Sequence, residues 1–130
     1  MTNSVRISCP IFPSEDPEKV MKAVLNIFPD AVPETTENGI SAEIGNMEHF
    51  GEKIREQRIL DTARSVMMKG RRGERSSFDL NKQAAYAGKI SFAEEKAVLG
   101  TIKVTVEAED ITSFIEMLAP ETVEGEEVRI

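Results

Sequence analysis

Val5, Ile7 and Cys9 alternate with polar neighbours, the period-two pattern of a strand buried on one face, and they predict a first strand over residues 3–9. Three prolines then interrupt residues 10–17. Ser14 or Asp16 can cap the helix that follows, with Pro17 in its first turn and Glu18 well placed for the helix dipole. Val20, Val24, Ile27 and Phe28 recur at helical spacing and Pro29 ends the run, so the first helix stops near Phe28. Beyond a loop of Pro, Thr, Asn and Gly, the alternation of Ile40, Ala42 and Ile44 gives a second strand.

From Met47 the period turns helical. Met47, Phe50 and Ile54 form one apolar stripe; Leu60, Ala63 and Met67, flanked by Ile59 and Val66, form another. The five-residue step from Ile54 to Ile59 rotates the face, which predicts two helices or one bent helix closing at Gly70 through a glycine cap. Residues 69–75, Lys-Gly-Arg-Arg-Gly-Glu-Arg, read as an exposed basic loop. Phe78, Leu80, Ala84, Tyr86, Gly88, Ile90 and Phe92 all fall on even positions. That spacing predicts a hairpin turning at Asn81-Lys82-Gln83, with a short helix over 82–87 as the alternative. Ile102, Val104 and Val106 supply a last strand, and Ile111, Phe114, Ile115 and Leu118 a last helix entered through Asp110 and stopped by Pro120. The predicted order is β-α-β-α-α-β-β-β-α. The class is α+β, one domain over 1–120, with a mixed sheet of about five strands covered on one face by helices. An acidic tail over 121–130 either frays or docks through Val128 and Ile130.

Composition narrows the chemistry. The 130 residues include one cysteine, one histidine and no tryptophan, which removes disulfides, zinc clusters, multi-histidine metal sites and Cys-X-X-Cys redox pairs. No nucleophile has an evident base, and no metal or cofactor motif meets its structural context, so the expectation is a non-enzymatic protein with no cofactor, no metal site and no identified small-molecule substrate. Cys9 reads as a buried inert thiol and His49 as a surface residue. The N-terminal residues lack the apolar core of a secretory signal, no stretch approaches 18 apolar residues, and the acidic tail would be repelled by anionic lipid. These features predict a cytoplasmic protein that leaves membranes alone.

Charge is unevenly divided. The net charge is −7, yet residues 53–89 hold ten basic and four acidic side chains, a net of +6, between flanks of −6 and −7. Arg58, Arg64, Lys69, Arg71, Arg72, Arg75, Asn81, Lys82 and Gln83 are the candidate contacts of this segment with RNA or another anion. Arg58, Asp61 and Arg64, three residues apart, would share one helix face as an anion site or, preferably, as an intrahelical ion-pair set. The glycines around Arg71 and Arg72 lack the spacing of a phosphate loop. Tyr86 and Phe92 are expected in the core rather than on a base-stacking face. The favoured reading is an interaction module whose basic segment meets the acidic flanks of a second subunit in a two-fold dimer. The alternative is RNA binding through phosphate charge, weak or absent at physiological salt because the acidic flanks oppose a polyanion.

Several blocks carry a family resemblance: residues 14–20 (Ser-Glu-Asp-Pro-Glu-Lys-Val), 26–29 (Asn-Ile-Phe-Pro), 55–64 (Arg-Glu-Gln-Arg-Ile-Leu-Asp-Thr-Ala-Arg), 80–92 from Leu80 to Phe92, Leu99-Gly100 and 118–122 (Leu-Ala-Pro-Glu-Thr). Together they resemble the archaeal uncharacterised protein family numbered 0201, over nearly the whole chain. Ser14 stands where threonine is expected, a change that keeps the hydroxyl. The resemblance implies an α+β fold similar to the ribosomal protein that binds 5S rRNA, and homodimers. It implies no catalytic activity, and RNA binding only by analogy of fold.

Overall fold

The alternation of Val5, Ile7 and Cys9 with Arg6 and Ser8 runs down the middle of the sheet. In the computed structural model, which describes residues 4–45, 47–93, 100–123 and 126–127, strand β1 (Ser4–Pro10) pairs on one side with β3 (Gly39–Ile44) and on the other with β6 (Ile102–Glu107). Strand β5 (Arg75–Leu80) lies outside β6. Two-residue strands close the edges, β2 (Glu34–Thr35) beside β3 and β4 (Arg71–Arg72) beside β5, giving the order β2-β3-β1-β6-β5-β4.

All five pairings are antiparallel, so the expected mixed sheet of about five strands is instead a six-stranded antiparallel one. The physical reason lies in the two edge strands. A helix that returned directly into the next strand would make a parallel crossover. Here β2 and β4 each carry the chain back along the sheet and turn it, so β3 and β5 enter reversed. Neither edge strand contains an apolar residue, so periodicity could not reveal them. The basic segment expected as a loop is accordingly a hairpin, with Arg71 opposite Ser76 and Arg72 opposite Arg75, turned at Gly73, whose φ is +64°.

Helices α1 (Pro17–Ile27), α2 (Glu48–Glu56), α3 (Leu60–Lys69) and α5 (Ile111–Leu118) turn their apolar stripes inward. Val5, Ile7, Cys9, Ile40, Phe78, Leu80, Ile102, Val104 and Val106 meet those stripes from the sheet. Phe50 of α2 sits at the hub: its ring lies 6.0 Å from Phe28, 5.7 Å from Phe78 and 6.5 Å from Phe92. Each fully buried side chain of this size contributes about 1.5–3 kcal/mol. Asp16 caps α1 by accepting from the Glu18 N–H, and Asp110 caps α5 by accepting from the Ser113 N–H.

The rotation between α2 and α3 is a Schellman turn. The Ile59 N–H donates to the Ile54 carbonyl at 2.9 Å and the Arg58 N–H to the Arg55 carbonyl at 3.1 Å, with Arg58 left-handed at φ 58°. That position favours glycine. Arg58 therefore stands outside α3, not on one helical face with Asp61 and Arg64. Gly70 follows α3 but is not a left-handed cap, since its φ is −81°. Glycine is needed there because a Cβ would strike the Ser77 carbonyl oxygen.

Of the two readings of this segment the structure takes the short helix over the hairpin turning at 81–83: α4 (Lys82–Tyr86) is capped by the Asn81 side chain, which accepts from the Ala84 N–H at 2.9 Å. A good cap before two alanines outweighed the even-position pattern. The chain then returns beside β5 through one bridge, Leu80 to Phe92, while the Gln57 amide pairs with both backbone groups of Ile90 at 2.8 Å. Beyond α5, β7 (Thr122–Val123) pairs with β8 (Glu126–Glu127). Val128 and Ile130 lie outside the described residues.

Candidate nucleic-acid interface

Among the described residues, one face of the sheet carries no helix. Alternation puts Arg6, Ser8, Ser41, Glu43, Arg75, Ser77, Asp79, Lys103, Thr105 and Glu107 on it, opposite the buried set. Among the described residues this face carries no aromatic ring. Its charges are matched in register: Arg6 pairs with Glu43 at 3.6 Å, Arg75 with Glu107 at 3.2 Å, and Lys103 stands opposite Asp79. Between them run hydroxyls, including Ser77 and Thr105 with their oxygens 3.3 Å apart. A charge-balanced surface without rings offers neither the field nor the stacking platform of a single-strand binder.

The edge of the sheet is different. The turn at Gly73 brings Lys69, Arg71, Arg72 and Arg75 together within seven residues, all exposed. Arg72 and Arg75 face each other across the hairpin, and with Glu74 and Glu107 they line a cleft of about 250 Å³. Arg71 points to the helical side, where it donates to the Thr112 hydroxyl at 2.6 Å and tethers the hairpin to α5. Arg72 donates to the carbonyls of Lys69 and Arg71, at 3.3 and 2.6 Å, which folds its side chain back toward the end of α3. The hairpin is thus a positioned cationic edge rather than a loose loop.

The remaining candidates do not join it. Arg64 reaches the last helix, donating to the Ala119 carbonyl at 3.5 Å and pairing with Glu116 at 3.4 Å and Glu121 at 3.6 Å. Lys82 is buried with Glu15, the two side chains 8% and 11% exposed and 2.9 Å apart, and donates also to the Pro10 carbonyl at 2.6 Å. Asn81 spends its oxygen on the α4 cap. Gln83 is exposed at the far end of β5 from the hairpin, and Arg58 is exposed in the α2–α3 turn. Phe92 packs in the aromatic cluster as expected, whereas Tyr86 is 42% exposed on α4. His49 is half-buried on α2. Cys9 is buried, and that burial pushes its thiol up to about 11 against the opposing pull of the Lys82 ammonium. No described helix is long and apolar enough to cross a membrane.

Comparison with known proteins places this geometry in a family. The family model described as RNA binding matches residues 4–108. A UPF0201 protein of Methanothermobacter thermautotrophicus is 35% identical over 129 residues, covering 97% of this chain and 98% of that one. A UPF0200/UPF0201 protein of Archaeoglobus fulgidus is 44% identical over 128 residues, and the chain spans only 40% of its length. The crystal structure of a UPF0201 protein from Methanococcus jannaschii superposes with a TM-score of 0.89 at 37% identity, covering 97% of this chain and 99% of that one. A DUF54 protein from Archaeoglobus fulgidus, at 19% identity and a TM-score of 0.68 over 90% of this chain and 98% of its own, shares the fold. Over residues 4–108 the chain thus matches the family model described as RNA binding, and over nearly its whole length it belongs to the UPF0201 family.

Proposed function

We propose that this protein is a non-enzymatic RNA-binding module that holds the phosphate backbone along the β4–β5 hairpin. The observation that carries the reading is the gathering of Lys69, Arg71, Arg72 and Arg75, the last of them paired with Glu107, around the exposed β4–β5 hairpin of a chain whose net charge is −7. The description of the family model supports it, as does the likeness to the ribosomal 5S rRNA-binding fold that the sequence blocks imply. Backbone contact positions a nucleic acid without reading its sequence, so every RNA of like shape should bind about equally. Four cations give a log-log salt slope of about −3 on single strands. The net charge of −7 opposes approach from a distance, which makes the contact weak at physiological salt. A buried lone thiol suits the reducing cytoplasm.

The test is a salt-titrated binding assay with structured and single-stranded RNA. Wild type should bind at low salt with that slope, and the Arg71→Gln, Arg72→Gln, Arg75→Gln triple variant should bind more weakly with a slope near −1. Absence of binding at low salt, or an unchanged slope in the triple variant, would sink the proposal. A second reading, a two-fold homodimer, is favoured by the uncovered sheet face, whose paired charges and hydroxyls suit a polar partner surface. Sedimentation at micromolar concentration tests it: a monomer at both low and high salt removes it.

A further inference from the structure

A groove unrelated to the hairpin lies between α1 and α4. Val20 and Ala23 of α1, Gln83 and Tyr86 of α4, Lys19 at the rim and the buried Glu15–Lys82 pair enclose about 170 Å³. Tyr86 is held in place by its own backbone: the Asn26 amide donates to the carbonyls of Ala85 and Tyr86, each at 3.0 Å. The Lys22 ammonium rests 5.2 Å from the centroid of the Tyr86 ring. Lys19 lines the groove, and Lys22, three residues further along α1, stands beside it over the Tyr86 ring.

These groups suit one kind of ligand. An aliphatic wall and a half-exposed phenol ring accept a flat heterocycle, because base–aromatic stacking tolerates any base. The Gln83 amide offers a donor and an acceptor to a base edge. A volume of about 170 Å³ lies below the roughly 300–1,000 Å³ of a drug-sized pocket, so a single ring system enters and its sugar and phosphate stay outside, beside the two lysines. We propose that this groove is a nucleotide subsite: the base lies along Tyr86 against Val20 and Ala23, Gln83 meets its edge, and Lys19 and Lys22 hold the phosphate. The inference goes beyond the hairpin reading and does not depend on it, since α4 follows the opposite end of β5. The nucleotide is either free or an unpaired residue of an RNA strand, and the two share this chemistry.

The chain supplies its own reporter, because Tyr86 is its one tyrosine and tryptophan is absent. Tyrosine emission is titrated with AMP, GMP, CMP and UMP, with N-acetyltyrosinamide treated identically to remove absorption and collisional effects. Saturable quenching with a dissociation constant below about 1 mM is expected for at least one of them. The matching nucleoside, and the Lys22→Gln variant with the nucleotide, should each bind roughly threefold to fivefold more weakly, the size of one exposed charge contact. A tetranucleotide of the same base that quenches at lower concentration than the monophosphate assigns the site to RNA; equal or weaker quenching assigns it to the free nucleotide. The triple hairpin variant should quench like wild type. If RNA binding at the hairpin fails while quenching persists, the hairpin reading falls and the groove stands. Quenching that tracks N-acetyltyrosinamide for all four nucleotides, or saturable quenching unchanged by Lys22→Gln, overturns the proposal.

Discussion

Replacing Lys82 by methionine isolates the buried ion pair from packing effects, because methionine keeps much of the aliphatic stem and opens little cavity. The ammonium donates to the Glu15 carboxylate at 2.9 Å and the Pro10 carbonyl at 2.6 Å, and lies 5.3 Å from the centroid of the Phe12 ring. Without it, Glu15 keeps the Phe12 N–H at 3.0 Å but holds a charge in a site about nine-tenths closed to water. Breaking one side of such a pair costs about 3–5 kcal/mol. The low end, about 3 kcal/mol, applies here because Glu15 sits beside exposed residues and can swing toward solvent. With an unfolding entropy of about 2.1 cal/mol/K per residue, that lowers the melting temperature by roughly 11 °C. Circular dichroism melts and urea titrations measure it. The Glu15→Met, Lys82→Met double variant should return to within about 1 kcal/mol of wild type, since neither charge is then left alone. The same Lys82→Met protein should bind RNA as wild type does, its ammonium being turned inward. A melting shift under about 3 °C for the single variant would show that Glu15 escapes the site freely and would refute the argument.

Arg58→Gly should raise stability by about 0.5–1 kcal/mol, because the left-handed residue of the α2–α3 turn loses its Cβ penalty; a urea midpoint at or below wild type would contradict it. The Cys9 thiol should resist a disulfide reagent at pH 8 in the folded protein. Because burial raises it to about 11 from 9.0, the unfolded chain releases that proton first, so stability held below pH 9 declines between pH 9 and 11. Cys9→Ala should flatten that decline in alkaline denaturation curves. Asp110, held below its usual range first by the Ser113 N–H and then by its hydroxyl, contributes stability present above its unfolded value near 3.8 and lost as the pH falls through its folded one. Asp110→Ala should therefore lower the melting temperature at pH 7 and make less difference at pH 3.

Periodicity made the long elements legible, since burying one face leaves a regular mark on β1, β3, β6 and four of the helices. It was blind to Glu34-Thr35 and Arg71-Arg72, whose strands bury nothing, and that blindness produced the wrong sheet type. The even spacing through Ala84 and Tyr86 imitated a strand, although Asn81 three residues before Ala84 carried the competing capping signal. The density of cations in the middle of the chain was visible in composition. Which of them remain available was not: Glu15 claims Lys82 from 67 residues away, and Glu116 claims Arg64 from 52. The groove beside Tyr86 was equally hidden, because it exists only where Asn26 and Ala85 come together.

The pairing of β1 with β6 sets a timetable for synthesis. Ser4 bonds across to the level of Glu107, and Ser8 to that of Lys103, so the central strand is made about 100 residues ahead of one of its two neighbours. At translation rates of about 5–20 residues per second, β1 waits roughly 5–20 s for β6, and the β1–β3 pair, complete at Ile44, spends roughly 3–12 s of that with one hydrogen-bonding edge open. During that interval Val5, Ile7 and Cys9 can be shielded only by α1 and whatever of α2 and α3 has emerged. A nascent chain of this protein is consequently most exposed to mispairing just before β6 leaves the ribosome, and substitutions that weaken the α1 cap at Asp16 should reduce yield from cells more than they reduce the stability of the finished fold.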